Sequence, residues 1–265
     1  MLRERIELQY RLTFSSVFHF GTGMRAGLTH RAVARDAAGY LYVPGSTLKG
    51  VVRDHATRIA ALLGIFSRPP HNLTDDLAEC APQADITTLI FGSRWRPCTL
   101  AFDDARLCRA DRDFFGAGER QIFKERQIET RTRVSMSRLT GTARAELLFS
   151  SEAGIPDLSF DGQITGVLDG VPTSWIDGTP DATLDAADHS YSVVLLLAAL
   201  RSIDRLGAGK SSGGGRLHCS ITQLVVDGTE RSVDSYLERI PTIEFYTLAE
   251  EEDRKSDAAA NSSDR

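Results

Sequence analysis

The 265-residue sequence lacks the features that mark membrane, secreted and disulfide-rich proteins. Its longest apolar run, residues 193–200, is too short to span a bilayer, and its N-terminus begins with a charged segment instead of a signal peptide. The four cysteines form no CxxC pair and indicate buried thiols in a reducing compartment, with a zinc site at His71 and Cys80 as the alternative. We therefore expect a cytoplasmic protein with no membrane partner and no resident metal.

The sequence also lacks a recognisable set of nucleophilic catalytic residues. It contains no Ser-His-Asp or Cys-His arrangement and no internal repeat, and its six histidines are scattered. Asp36 is the only acidic residue between Gly21 and Arg53, so it is the one candidate for a metal ligand or an acid group in that stretch.

The net negative charge of the chain comes from two regions. The formal net charge is −5, yet residues 145–200 carry nine acidic residues and no Lys or Arg, and the segment from residue 249 contributes −3. The rest of the chain therefore carries +7. Because an electrostatic footprint depends on where charges lie, the acidic total does not exclude nucleic acid as a partner.

Hydrophobic periodicity predicts an α+β fold. Alternating apolar and polar residues from position 3 to 20 predict a half-buried strand, and further strands are predicted at residues 40–43, 99–107 and 217–226. Helices are predicted from Ser46 to Gly64 and over residues 190–206. This order predicts an antiparallel sheet of ferredoxin-like or RRM type, in one domain over residues 1–248. Residues 249–265 are acidic and rich in Ser and Ala, which predicts a disordered tail.

A basic insertion interrupts this pattern at residues 109–144. It contains nine Lys or Arg against five acidic residues, and alternation around Arg131 and Arg133 predicts an extended β-hairpin. Phe114, Phe115 and Phe123 stand among these cations, which favours stacking on nucleic-acid bases. A solvated charged face is the alternative interpretation.

Two further segments have the chemistry of anion sites. Residues 43–53, VPGSTLKGVVR, predict a strand end and a helix capped by Ser46, with Lys49 and Arg53 on one exposed face. Residues 206–216 form a glycine-rich loop that contains Lys210. Helix N-termini and glycine-rich loops present backbone N–H groups to anions, so the pair suggests a phosphate chain as ligand. A merely well-capped helix and a flexible connection are the alternatives.

Together these segments resemble the RAMP superfamily of CRISPR-associated proteins, in particular the backbone subunits of type III effector complexes. The resemblance covers most of residues 5–226. It rests, in chain order, on residues 18–23 (FHFGTG), 35–53, 90–93 (IFGS), 102–105 (FDDA), 130–135 with 140–143, and 207–215.

The resemblance implies an RNA-binding function. In that family, RRM-like subunits stack along a CRISPR RNA, and a hairpin thumb wedges into the guide–target duplex at regular intervals. The implied partners are CRISPR RNA, complementary target RNA, other effector subunits and copies of this chain, and the insertion is the implied thumb. The implied RNA-binding residues are Arg25, Arg31, Arg35, Ser46, Lys49, Arg53, Arg131, Arg133, Gly207, Gly209, Lys210 and Ser211.

Target-RNA cleavage is the point at which the sequence departs from the family. Cleaving members place an aspartate after the first strand in a pattern resembling Asp-x-Pro-Val-x-Arg-Asp, and use a divalent metal. Here Asp36 matches the second aspartate, and His30 stands where the first is expected. Imidazole is a poor ligand for Mg²⁺, although it can act as an acid or base toward a 2′-OH. His30 and Asp36 are therefore the candidate catalytic residues, with Mg²⁺ needed if the subunit cleaves and no cofactor otherwise.

Two other functions stay open. One is a stand-alone endoribonuclease that processes precursor CRISPR RNA, with His19 or His30 beside a cation. The other is a protein-only scaffold, which would show no salt-dependent RNA binding.

Overall fold

The computed structural model describes residues 2–22, 29–64, 85–93, 96–116, 122–170, 175–176, 179–180 and 190–240. The predictions for Arg25, for His71 and Cys80, and for the tail from residue 249 lie outside these residues. For His30 and Arg133 only the backbone is described. Within this part of the chain, no helix is long and apolar enough to cross a membrane.

The main sheet is centred on three long antiparallel strands, β1 (Leu2–Phe14), β8 (Ser159–Gly170) and β11 (Leu217–Val226). β1 lies in the middle and pairs with both neighbours. Four short strands complete the seven-stranded sheet. They are β3 (Tyr42–Val43), β4 (Leu100–Phe102), β5 (Ala105–Leu107) and β12 (Thr229–Glu230), and the order is β12-β11-β1-β8-β5-β3 with β4 also on β8. This antiparallel arrangement confirms the predicted α+β fold class.

The core lies on one face of this sheet because β1 alternates as its sequence predicts. Ile6, Leu8, Tyr10 and Leu12 are buried, whereas the alternate residues Glu7, Gln9 and Arg11 are exposed. The helices α1 (Gly45–Leu62), α2 (Ile86–Phe91), α5 (Tyr191–Arg201) and α6 (Val233–Leu237) cover the buried face. α5 packs against the sheet and also against α1, which is why its first ten residues are all buried.

A second, three-stranded sheet stands beside the first. It has the order β2-β7-β6, where β2 is Thr29–Arg31, β6 is Ile128–Met136 and β7 is Ala143–Gly154. β6 and β7 form an antiparallel hairpin, and β2 adds to β7 in parallel. A separate pair joins β9 (Trp175–Ile176) to β10 (Thr179–Pro180).

The basic insertion is only partly the predicted ribbon. Its first part forms the helices α3 (Arg109–Gly116) and α4 (Ile122–Glu125), and the hairpin runs past residue 144 to Gly154. Strand alternation begins only at Ile128, and in α3 helical spacing buries Phe115 while Phe114 remains 69% exposed. Phe115 is therefore not available for the base stacking that its place among cations suggests, and the Phe123 side chain lies outside the described residues.

The start of α1 also differs from the prediction. Ser46 lies inside the helix and Pro44 occupies the N-cap, so Ser46 does not cap it. Asp104 does so from a distant segment, since its Oδ1 accepts the Gly45 N–H at 2.8 Å. A Cβ on Gly45 would stand 2.0 Å from the carbonyl oxygen of Phe102, so only glycine fits. The predicted strand 99–107 is divided next to this contact into β4 and β5.

Candidate nucleic-acid interface

Residues 17–22, here called the junction segment, bring three distant parts of the chain together. The Phe18 and Gly154 N–H groups donate to each other's carbonyl oxygens at 3.2 and 2.7 Å, which joins the segment to the end of β7. The Ala34 N–H donates to the Phe20 carbonyl at 2.7 Å, which joins it to the chain after β2. The segment contains the first five residues of the FHFGTG motif, so these residues position the hairpin and this loop together.

The glycine loop, residues 206–216, is the third part. The Ala208 N–H donates to the His19 carbonyl at 2.9 Å, and the Gly215 N–H donates to the Val17 carbonyl at 2.7 Å. A Cβ on Gly207 would lie 2.8 Å from the His19 oxygen. The high glycine content therefore allows another backbone to approach closely.

The tip of the glycine loop is an exposed 3₁₀ turn at Lys210–Ser212. Gly209 and Gly213 flank it in the left-handed region, with φ of +78° and +87°. Among the described hydrogen bonds, the N–H groups of Lys210 and Ser211 have no backbone acceptor, because they begin the turn. Free N–H groups beside a lysine form a site of the kind that binds anions.

A cavity of about 80 Å³ opens where these parts meet and is here called the junction cavity. The predicted residues Arg31 and Arg131 reach its wall from β2 and β6, and Gly209 lines it from the glycine loop. The other polar residues in the wall are His19, Ser151, Glu152 and Ser212. Tertiary structure thus brings two arginines and the turn of the glycine loop to one recess.

His19 is a candidate RNA contact that is absent from the implied RNA-binding residues. Its Nδ1 lies 2.8 Å from the Glu152 carbonyl oxygen. A carbonyl can only accept a hydrogen bond, so Nδ1 is the donor, and Nε2 is an acceptor in the neutral form of the ring. The available signal was its position inside the FHFGTG motif.

Two of the predicted cations are engaged in ion pairs. Arg35 contacts the Glu152 carboxylate at 3.0 Å, and Arg131 pairs with Glu129 on its own strand. Lys210 is exposed at the loop tip, and its carbonyl oxygen accepts a hydrogen bond from Arg205. Of these cations, Lys210 and Arg31 project most freely.

The α1 residues lie apart from the junction cavity and differ from one another. Lys49 is partly exposed, with Nζ 5.9 Å from the centre of the Phe102 ring. Arg53 is half-buried, and its Nε is shielded from solvent without a hydrogen-bond partner among the described residues. Burial lowers the pKa of Arg53, while the buried Asp85 carboxylate raises it. Lys49 and Arg53 are both only partly exposed, so the predicted exposed face is partly covered, and the Asp85 carboxylate before α2 lies near Arg53.

Asp36 has a local structural task. Its Oδ1 accepts the N–H groups of Ala38 and Tyr40, both at 2.9 Å, and its Oδ2 lies 3.9 Å from Arg112. These bonds shape the turn that leads into β3. A carboxylate that is committed to two amides and faces a guanidinium does not fit a Mg²⁺ ligand. Among the described residues no cluster of three or more His, Cys, Asp or Glu could hold a metal.

The hairpin ends in an apolar tip. Leu139 in the turn is 95% exposed, and Val134 and Met136 on β6 are half-exposed. The Ser137 N–H donates to the Thr142 carbonyl at 2.8 Å, which closes the turn and keeps the tip compact. An exposed apolar tip on a basic hairpin is suited to contact with base planes.

The outer face of the main sheet lacks these properties. Arg11 makes a two-point contact with Asp161 at 2.6 and 3.0 Å, and Arg3 pairs with Asp169 at 3.2 Å. β1, β8 and β11 place no Phe, Tyr or Trp side chain on this face. RRM domains stack bases on such rings, so this face lacks the stacking platform of an RRM sheet.

Comparisons with known proteins agree with this architecture. The sequence model of the RAMP superfamily matches residues 11–218. A chain in the cryo-electron-microscopy structure of the type III-B Cmr-beta complex bound to cognate target RNA has a similar fold, with a TM-score of 0.52. The two chains are 11% identical, and the match covers 87% of this chain and 98% of the other. No curated protein matches by sequence. Because the family match spans most of the chain, this protein belongs to the RAMP superfamily.

Proposed function

We propose that this protein is a guide-RNA-binding backbone subunit of a type III CRISPR effector that recognises complementary target RNA. The observation that carries the proposal is the junction cavity, where Arg31, Arg131 and the glycine loop meet. Membership of the RAMP superfamily supports it. The structural neighbour, which belongs to a type III-B complex bound to target RNA, adds further support.

The contacts suit binding that ignores base sequence. Guide sequences vary, so a subunit that serves all of them must hold phosphates and riboses instead of base edges. Arg31, Arg131 and the Lys210 turn supply donors for phosphate oxygens. The unprotonated Nε2 of His19 can accept a hydrogen bond from a 2′-OH, the group that distinguishes RNA from DNA.

The hairpin supplies the second contact. Leu139 at its tip contacts the bases of the guide–target duplex, while arginines on its strands lie along the backbone. Copies of the subunit along one guide repeat this contact, and other effector subunits complete the particle. Lys49 on α1 binds a neighbouring guide phosphate.

Within this proposal the subunit binds target RNA and does not cut it at Asp36. The Asp36 carboxylate serves its own turn, and His30 replaces the expected aspartate with an imidazole. The assembled particle should therefore leave complementary RNA uncut at this subunit's positions in Mg²⁺ or Mn²⁺. Periodic cuts that disappear in Asp36→Ala but not in His30→Ala would overturn this part.

Charge-removing variants test the binding proposal. Arg31→Gln, Arg131→Gln and Lys210→Gln should each weaken binding of two unrelated guide RNAs equally. Each should also reduce the slope of log K against log salt by roughly one, because each removes one phosphate contact. Arg58→Gln on the exposed side of α1 is the matched control and should change neither quantity. Loss of binding for only one guide would contradict the assignment.

A processing endoribonuclease is the second candidate, favoured by His19 beside Arg31 in the junction cavity. Size-exclusion chromatography with precursor guide RNA separates the two functions. A backbone subunit forms a ribonucleoprotein assembly that keeps its RNA, whereas a processing enzyme stays small and turns over.

A further inference from the structure

A carboxylate lines the cavity that we assign to a phosphate, which simple electrostatics disfavours. The Glu152 side chain is only 15% exposed, so water screens it poorly. Both of its oxygens are engaged. Oε2 accepts the Val33 N–H at 3.0 Å, and Oε1 accepts from Arg35 Nη2 at 3.0 Å.

These contacts hold the chain that follows β2. β2 pairs with β7 over only three residues, and its register is irregular between Thr29 and Arg31. Beyond it, Val33 forms an isolated bridge with Gly21. The Glu152 carboxylate therefore provides a direct side-chain link between the hairpin and this loop, and Arg31 lies two residues from the anchored Val33 amide.

The backbone of Glu152 adds a third contact. Its carbonyl oxygen accepts the His19 Nδ1–H bond at 2.8 Å. Glu152 of β7 thus orients His19 through its main chain, and it holds residues 31–35 through its side chain. The buried carboxylate thus stabilises the cavity wall through these contacts, although its charge repels an anion.

We propose that Glu152 is a positioning residue, which holds residues 31–35 against the hairpin so that Arg31 faces the junction cavity. The inference rests on the proposed function, because its effect on RNA passes through that cavity. It also makes a claim about the free protein, since loss of the carboxylate should loosen residues 31–35 whether or not RNA is present.

The decisive experiment compares the RNA affinity of Glu152→Gln with that of Glu129→Gln. Each removes one negative charge from the hairpin beside an arginine. Electrostatics alone predicts tighter RNA binding for both. If Glu152 positions Arg31, Glu152→Gln should instead bind guide RNA about tenfold more weakly, with a salt slope lower by roughly one. Glu129→Gln should bind at least as tightly as the unmodified protein.

Glu152→Asp provides a second variant that keeps the charge. Its carboxylate is one methylene too short to reach both Val33 and Arg35, so it should lose affinity as Glu152→Gln does. Hydrogen exchange of residues 31–35 in the free protein should quicken in both Glu152 variants and stay unchanged in Glu129→Gln.

The outcomes are separable from failure of the proposed function. If the unmodified protein binds no RNA, the proposed function fails and hydrogen exchange alone decides the positioning role. Unchanged exchange in the Glu152 variants, or tighter RNA binding by Glu152→Gln, would overturn the inference.

Discussion

At the residue scale, a strongly perturbed carboxyl group lies on β1, outside the wall of the junction cavity. Glu4 on β1 is 3% exposed, and its Oε2 has no hydrogen-bond partner among the described residues. Burial raises the pKa of Glu4 from 4.5 to about 7, the nearby Ser190 hydroxyl opposes this rise, and the Asp227 charge adds to it. The folded protein therefore keeps this carboxyl protonated over a pH range in which the unfolded chain has released the proton.

This difference predicts a pH-dependent stability. Because the folded pKa lies above the unfolded one, the free energy of unfolding should fall as pH rises from 4.5 to 7 and then level off. Glu4→Gln should remove the effect and be more stable than the unmodified protein at pH 8, by up to about 3 kcal/mol. The two should be nearly equal at pH 4. Urea denaturation at both pH values measures this, with the exposed Glu7→Gln as control, and parallel pH profiles for Glu4→Gln and unmodified protein would contradict it.

At the element scale, the glycine loop depends on close approach of backbone to backbone. Gly215 has φ of +73°, and a Cβ there would lie 2.1 Å from the Leu206 carbonyl oxygen. Gly213 has φ of +87°, but no atom lies within 4 Å of its would-be Cβ. Substitution at Gly213 therefore measures the cost of backbone conformation alone, whereas substitution at Gly215 adds the cost of steric overlap.

Gly215→Ala should therefore destabilise the protein by more than about 2 kcal/mol and weaken RNA binding, since the loop must move away from residue 206. Gly213→Ala should cost about 1 kcal/mol, because only its backbone conformation is strained. Thermal unfolding and RNA titration of both variants provide the measurement. Equal costs would show that overlap at Gly215 is relieved without loss.

α1 carries two cations with different tasks. Lys49→Ala should weaken RNA binding for all guides and leave the unfolding free energy unchanged, because Lys49 is partly exposed. Arg53→Ala should destabilise the protein by about 2 kcal/mol, because it removes a half-buried side chain whose charge lies near the buried Asp85 carboxylate. Denaturant melts and RNA titrations distinguish the two, and a stability unchanged by Arg53→Ala would contradict its structural task.

At the scale of the whole molecule, the uneven distribution of charge affects which parts of the chain attract RNA. The net charge of −5 includes −3 from residues 249–265, whereas the junction cavity collects two arginines. An acidic tail repels phosphate, so a chain that ends at residue 248 should bind guide RNA at least as tightly and with an unchanged salt slope. Filter binding at several salt concentrations tests this, and loss of binding on truncation would contradict it.

Local features of this protein follow from its sequence because they depend on neighbours along the chain. Alternation in β1 and β11 predicts strands and buried faces, since side chains in a strand point to opposite sides in turn. Glycine density predicts that something approaches the 206–216 loop closely. The motif order indicates the RAMP family, which the match over residues 11–218 confirms.

Only the tertiary structure shows the contacts that form the helix cap and the candidate site, because the residues that make these contacts lie far apart in sequence. Asp104 caps α1 from the break between β4 and β5, and Asp85 lies near the half-buried Arg53, neither of which any local period can reveal. Glu152 reaches Val33 across more than a hundred residues, and the junction cavity exists only where β2, the hairpin and the glycine loop meet. Sequence by itself determined which segments carry the chemistry. Packing of the chain determined which cations face solvent and which are held in ion pairs or buried, because burial and pairing depend on non-local contacts.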